Sequence, residues 1–150
     1  MKTYIYLIIS LLLFSACEAN RATNKENDSN TISACSDITI NDDTNGVANY
    51  EVLSATIDQA KLLLNIRHSG GCKDISYNLI TNGVFRESIP VQLDVDLVFS
   101  EEDQCEALIE KQLCFNMSTL TELYKDNYQT DSGKIILQLA HSENSLVYSF

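Results

Sequence analysis

Residue types able to do chemistry are few in this chain, and they are scattered. Histidine, the usual acid, base and metal ligand near neutral pH, occurs twice, as His68 and His141. The spacing His68-x-x-x-Cys72 could seat zinc or copper if Cys105 joined as a third ligand. That requires free thiolates, whereas in an oxidising compartment the same cysteines are expected to be bridged, and a disulfide sulfur is a poor ligand. Asn41-x-Asp43-x-Asn45-Gly46 sets three oxygen-bearing side chains on alternate positions before a glycine, as a calcium loop does. Position twelve of that loop is Val52, with Glu51 one place early. The candidate ligands Asn41, Asp43, Asn45 and Glu51 therefore compete with the plainer reading of Asn45-Gly46 as a turn. No cofactor is expected, with calcium at this loop as the alternative.

Acidic pairs are the remaining candidates. Asp94 and Asp96 lie two apart on one strand face, and Glu101-Glu102-Asp103 precede Cys105. Two carboxylates can run glycoside hydrolysis, but that chemistry sits in clefts lined by aromatic rings, and the chain has no tryptophan. An acidic edge that discourages strand addition is the more economical account of Asp94 and Asp96. Gly-x-Ser-x-Gly, His-Glu-x-x-His and a phosphate-cradling glycine loop are all missing from the sequence. No enzyme is expected.

The N-terminus says where such a domain would work. Met1-Lys2, the apolar run Tyr4 to Phe14, and Ser15-Ala16 before Cys17 are the n-region, h-region and cleavage site of an export signal. The apolar run is too short for a bilayer-spanning helix, which needs roughly 20 residues. Phe14-Ser15-Ala16-Cys17 resembles the lipobox of bacterial lipoproteins, with Phe14 where Leu is usual. The resemblance implies a signal peptide over 1–16, a lipid on Cys17, and a membrane partner reached through that anchor. Ordinary cleavage after Ala19 is the competing reading. Glu18 rather than Asp follows the cysteine, so outer-membrane anchoring is expected, with the leaflet open.

Residues 17–34 are polar, with two alanines and an isoleucine between Glu18 and Ser33. Such a segment buries too little to offset its ordering entropy and reads as a tether. Residues 35–150 are left to form one domain. Loss of Lys2 with the signal takes the formal charge from -11 to -12, which disfavours nucleic acid as a partner. Cys35, Cys72, Cys105 and Cys114 remain, an even number that implies two disulfides in one of three pairings. Cys72 and Cys105 both fall at strand ends beside turn residues. That favours Cys72 with Cys105 and Cys35 with Cys114.

Strand signals recur along the domain, as β-branched and aromatic runs bounded by Asn, Asp, Gly and Ser. Tyr50 to Thr56 and Lys61 to Arg67 read as a hairpin about Asp58-Gln59. Ile75 to Thr81 and Val84 to Arg86 read as a second about Asn82-Gly83. Val91, Leu93, Val95, Leu97 and Phe99 alternate as one buried face, and Ala107 to Met117 alternates likewise. A helix over Glu101 to Leu113 is the rival there. Lys134 to Ala140 and Leu146 to Phe150 make a C-terminal hairpin about His141 to Asn144. One helix, Leu120 to Asp126, is expected behind a Ser118 or Thr119 cap. The chain is thus all-β, a two-sheet antiparallel sandwich of immunoglobulin-like character, with a small closed barrel as alternative.

Four segments together carry a second resemblance: Gly70-Gly71-Cys72, Glu87-Ser88-x-Pro90, Asp103-Gln104-Cys105-Glu106-Ala107-Leu108-Ile109 and Leu113-x-Phe115-Asn116-Met117-Ser118. They resemble a pattern in uncharacterised exported lipoproteins of the Bacteroidota and related bacteria. The resemblance implies a bridge between Cys72 and Cys105. Where the pattern often has a histidine three residues after its first cysteine, this chain has Ile75. No activity comes with it. The expected function is a non-enzymatic envelope module for a protein or glycan partner. A cation-binding lipoprotein and an inhibitor of a secreted hydrolase are the alternatives.

Overall fold

The computed structural model describes residues 34–41, 49–99 and 105–150. Residues 1–33, which take in the expected signal peptide, Cys17 and most of the expected tether, lie outside the described residues, as do Asp43, Asn45 and Glu101 to Asp103.

Among the described residues there are nine strands and one helix. The strands are β1 (Ser36–Asp37), β2 (Thr39–Ile40), β3 (Tyr50–Asp58), β4 (Lys61–Ser69), β5 (Tyr77–Thr81), β6 (Val91–Phe99), β7 (Leu108–Asn116), β8 (Lys134–Leu139) and β9 (Leu146–Ser149). Helix α1 (Ser118–Tyr128) joins β7 to β8. They build two open sheets, ordered β1-β7-β4-β3 and β2-β5-β6-β8-β9. This is the expected two-sheet sandwich, and neither sheet closes into the barrel considered as its alternative.

Period-two patterning makes the core. Leu62, Leu64, Ile66 and His68 of β4 and Val91, Leu93, Val95, Leu97 and Phe99 of β6 are buried, while their neighbours are half-buried or exposed. In a strand, side chains alternate between faces, so each run delivers one apolar face. Phe115, Met117, Leu120, Ile135, Leu137 and Tyr148 complete the same cluster. No helix among the described residues is long and apolar enough to cross a membrane.

Three features depart from the expected topology. First, the sheets are mixed: β1 runs parallel to β7, β2 to β5, and β6 to β8. After β6 the chain crosses to the other sheet as β7 and returns through α1, so β8 arrives beside β6 in the same direction. A parallel neighbour requires such a long crossover. Second, Asn82-Gly83 does not make a hairpin. It is a turn, with Gly83 at φ 73 and the Val84 amide donating to Asn82 Oδ1 at 3.0 Å, but β5 pairs with β6 instead. Val84 to Arg86 contributes only the bridge Arg86 to Gln92. Third, neither Ser118 nor Thr119 caps α1. The capping position is Met117, with no side-chain cap bond, and the Ser118 amide donates to Asn116 Oδ1 at 3.2 Å. The strand reading of 107–117 stands against its helical rival, β7 pairing with β4 from Lys61 opposite Asn116 to Ser69 opposite Leu108.

Both disulfides follow the strand registers. Ser69 faces Leu108 at the end of the β4 and β7 ladder, and Gly70 N–H donates to Ala107 C=O at 2.8 Å. Cys72 and Cys105 lie three residues beyond that last rung on both strands and are bonded, with Cα atoms 5.9 Å apart. Ser36 faces Phe115 in the parallel pair. The preceding residue on each strand forms the Cys35–Cys114 bridge, with Cα atoms 4.6 Å apart. Between β1 and β2, buried Ile38 marks where the chain passes from one sheet to the other.

Candidate functional site

The five-stranded sheet carries a groove of about 460 Å3. Three strands and the end of a fourth position it. In the β5 and β6 register Ile80 faces Asp96, and in the β6 and β8 register Asp94 faces Gln138. Directly opposed residues point to the same side of a sheet, so Ile80, Asp94, Asp96 and Gln138 share the outer face. Asn41 also lines the groove, its N–H donating to Thr81 C=O at 2.8 Å. Thr81 is buried, and its hydroxyl donates to the Asp94 carbonyl at 2.8 Å.

The two carboxylates have different partners. Arg86 Nη2 lies 2.7 Å from Asp94 Oδ1, with both side chains more than half exposed, a setting in which ion pairs are worth roughly 0–1 kcal/mol. Asp96 Oδ1 instead accepts from the Tyr50 hydroxyl at 3.2 Å. That hydroxyl is also 3.2 Å from the Ala140 carbonyl and accepts from the Leu97 amide at 3.4 Å. Burial first, and then the negative charge of Asp96, raise the Tyr50 pKa well above its ordinary value. Tyr50 stays protonated and acts as a strut between the sheets.

Only part of the sequence-derived site set is gathered here. Asp94 and Asp96 line the groove, but β6 is the middle strand of its sheet, so they do not protect an edge. No aromatic ring is among the described residues lining the groove, unlike a glycosidase cleft. Of the calcium candidates, Asn41 lines the groove, whereas Glu51 sits on the other sheet with Arg67 Nη1 3.3 Å away. Among the described residues no three His, Cys, Asp or Glu side chains are gathered as metal ligands.

The His68, Cys72 and Cys105 metal set does not form, because its thiols are spent on each other. His68 is buried, with Nδ1 2.7 Å from the Ser69 carbonyl and Nε2 2.7 Å from the Tyr77 hydroxyl. Its ring packs on Phe99 at 4.6 Å. His141 is exposed and meets the Tyr50 ring edge-on at 4.8 Å. Tyr50, Thr81, Arg86 and Gln138 were not candidates from sequence. Thr81 and Gln138 reach the groove through strand register, Arg86 through its isolated bridge to Gln92 and Tyr50 from the opposite sheet, and none of these has a local signal.

No family model matches the sequence, and no curated protein matches it. Among solved structures the chain is similar to a NigD-like immunity protein from Bacteroides caccae, at 10% identity and TM-score 0.52, over 76% of this chain and 58% of that one. It is also similar to a lipoprotein candidate from Bacteroides fragilis, at 11% identity and TM-score 0.45, over 77% and 68% of the two chains. A protein of unknown function from Bacteroides vulgatus gives 13% identity and TM-score 0.45, over 77% and 55%. This chain thus spans little more than half the length of two of these proteins. The likeness to the Bacteroides caccae protein is one of fold, which by itself carries no function across.

Proposed function

We propose that this chain is a lipid-anchored envelope protein whose β-sandwich binds a protein or glycan partner without acting on it chemically. The observation that carries the reading is the groove: an open concavity of about 460 Å3 with apolar lining and amide and carboxylate groups around it. Binding sites combine these features. Its two carboxylates are engaged by Arg86 and Tyr50 rather than set against a base or nucleophile, so the arrangement suits holding a partner. The Phe14 to Cys17 motif supports export and anchoring. Affinity capture with the full chain from cross-linked membranes, run beside a glycan array, tests the reading. A partner enriched by the wild type and lost when the groove is altered is the expected result. Nothing above background in either experiment overturns it.

A further inference from the structure

We infer that the groove docks an arginine or lysine side chain of a protein partner, so that the partner presents an exposed basic segment. This rests on the binding reading above and narrows it to one chemistry. Charge complementarity carries the argument. Asp94 and Asp96 both line the groove, and no lysine, arginine or histidine is among the described residues lining it. Asp96 is held by a neutral hydroxyl, that of Tyr50. Arg86 already shows the geometry on Asp94, its guanidinium 2.7 Å from Oδ1, and the exposure of that pair makes it exchangeable.

Ile80 faces Asp96 but is only 5% exposed, so what the groove offers a basic side chain is polar. The amide of Gln138 supplies a carbonyl acceptor for a multi-donor head group. The whole chain carries a net charge of -11, which attracts basic partners. A divalent metal is a poorer match. Calcium takes six to eight oxygen ligands, and no third His, Cys, Asp or Glu joins the two aspartates among the described residues.

The test is an NMR titration of the isotope-labelled full chain with an acetylated Gly-Arg-Gly amide, against its citrulline counterpart, which keeps the shape and loses the charge. The arginine peptide is expected to shift the amides of Asp94, Asp96 and Gln138 saturably, and the citrulline peptide to leave them in place. Asp96→Asn, which retains an oxygen for Tyr50, should weaken binding about tenfold, the size of one charge-assisted hydrogen bond. Glu51→Gln on the opposite sheet should change nothing. Equal shifts from the two peptides, unmoved groove resonances, or calcium chloride saturating those resonances and excluding the peptide would each overturn the inference. Membrane capture with wild type and the Asp94→Asn, Asp96→Asn double variant separates the two levels. The same partner on both leaves the binding reading standing and removes the basic-segment inference, whereas no partner on either removes both.

Discussion

Tyr50 reaches from the four-stranded sheet to the five-stranded one, its hydroxyl 3.2 Å from both Asp96 Oδ1 and the Ala140 carbonyl. Removing it leaves a carboxylate, a carbonyl and the Leu97 amide short of a partner, so Tyr50→Phe should cost about 1–2 kcal/mol in urea unfolding. Its pKa is raised on folding from the ordinary 10.0, so the folded chain holds the phenol proton more tightly than the unfolded one. Its contribution is complete below pH 10 and is lost as the pH rises above that value toward the folded pKa. The variant should therefore lose less stability than wild type between pH 9 and pH 11, and equal losses would refute the strut. His68, directly opposite Tyr50 in the β3 and β4 register, is the matching case on the same sheet. His68→Ala opens a cavity beside Phe99 and strands the Tyr77 hydroxyl, for an expected loss of about 2–4 kcal/mol. If the midpoint hardly moves, the ring is not packed as described.

The β4 and β7 ladder is the element on which the four-stranded sheet depends, and a bridge marks each end of β7. Cys72–Cys105 closes a separation of 33 residues and Cys35–Cys114 one of 79. In the chain-entropy model these are worth roughly 3.7 and 4.5 kcal/mol. Paired Cys→Ser variants unfolded in urea should rank in that order, and the reverse ranking would place the stabilisation in local contacts instead. Helix α1 has a tighter constraint. A Cβ on Gly133 would fall within the ring of Tyr124, which also packs edge-on against Phe85 and Phe150. Gly133→Ala should cost about 1–3 kcal/mol through overpacking, and Tyr124→Ala in the same chain should relieve part of that loss by making room.

For the whole molecule, the proposed anchor decides where the groove can meet a partner. The thiol of Cys17 is the group a lipidating enzyme would alkylate, so Cys17→Ser should leave an unprocessed precursor. The wild type should partition into detergent and resist salt washing, since each acyl methylene buried adds about 0.8 kcal/mol of membrane affinity. Mass spectrometry of the mature chain provides the check: a free N-terminal Asn20 with no acyl chain would establish ordinary secretion. The -11 charge acts at the same scale, favouring approach to basic partners and disfavouring nucleic acid.

By itself the sequence determined the two-sheet class, because alternation such as Val91, Leu93, Val95, Leu97 and Phe99 is a local signal of one buried strand face. It determined β3, β4, β7 and the C-terminal hairpin for the same reason, and it favoured the cysteine pairing that the strand registers display. The tertiary structure alone decided which strands are neighbours. Two-residue strands such as Ser36–Asp37 and Thr39–Ile40 are too short to show a period. The parallel β6 and β8 pair depends on a crossover through the opposite sheet, which no local pattern records. Asp94 and Asp96 were legible as a shared face. That this face is central, joined by Ile80 and Gln138 and braced by Tyr50, follows only from contacts between residues far apart in the chain, where pairing depends on burying every strand's apolar face at once.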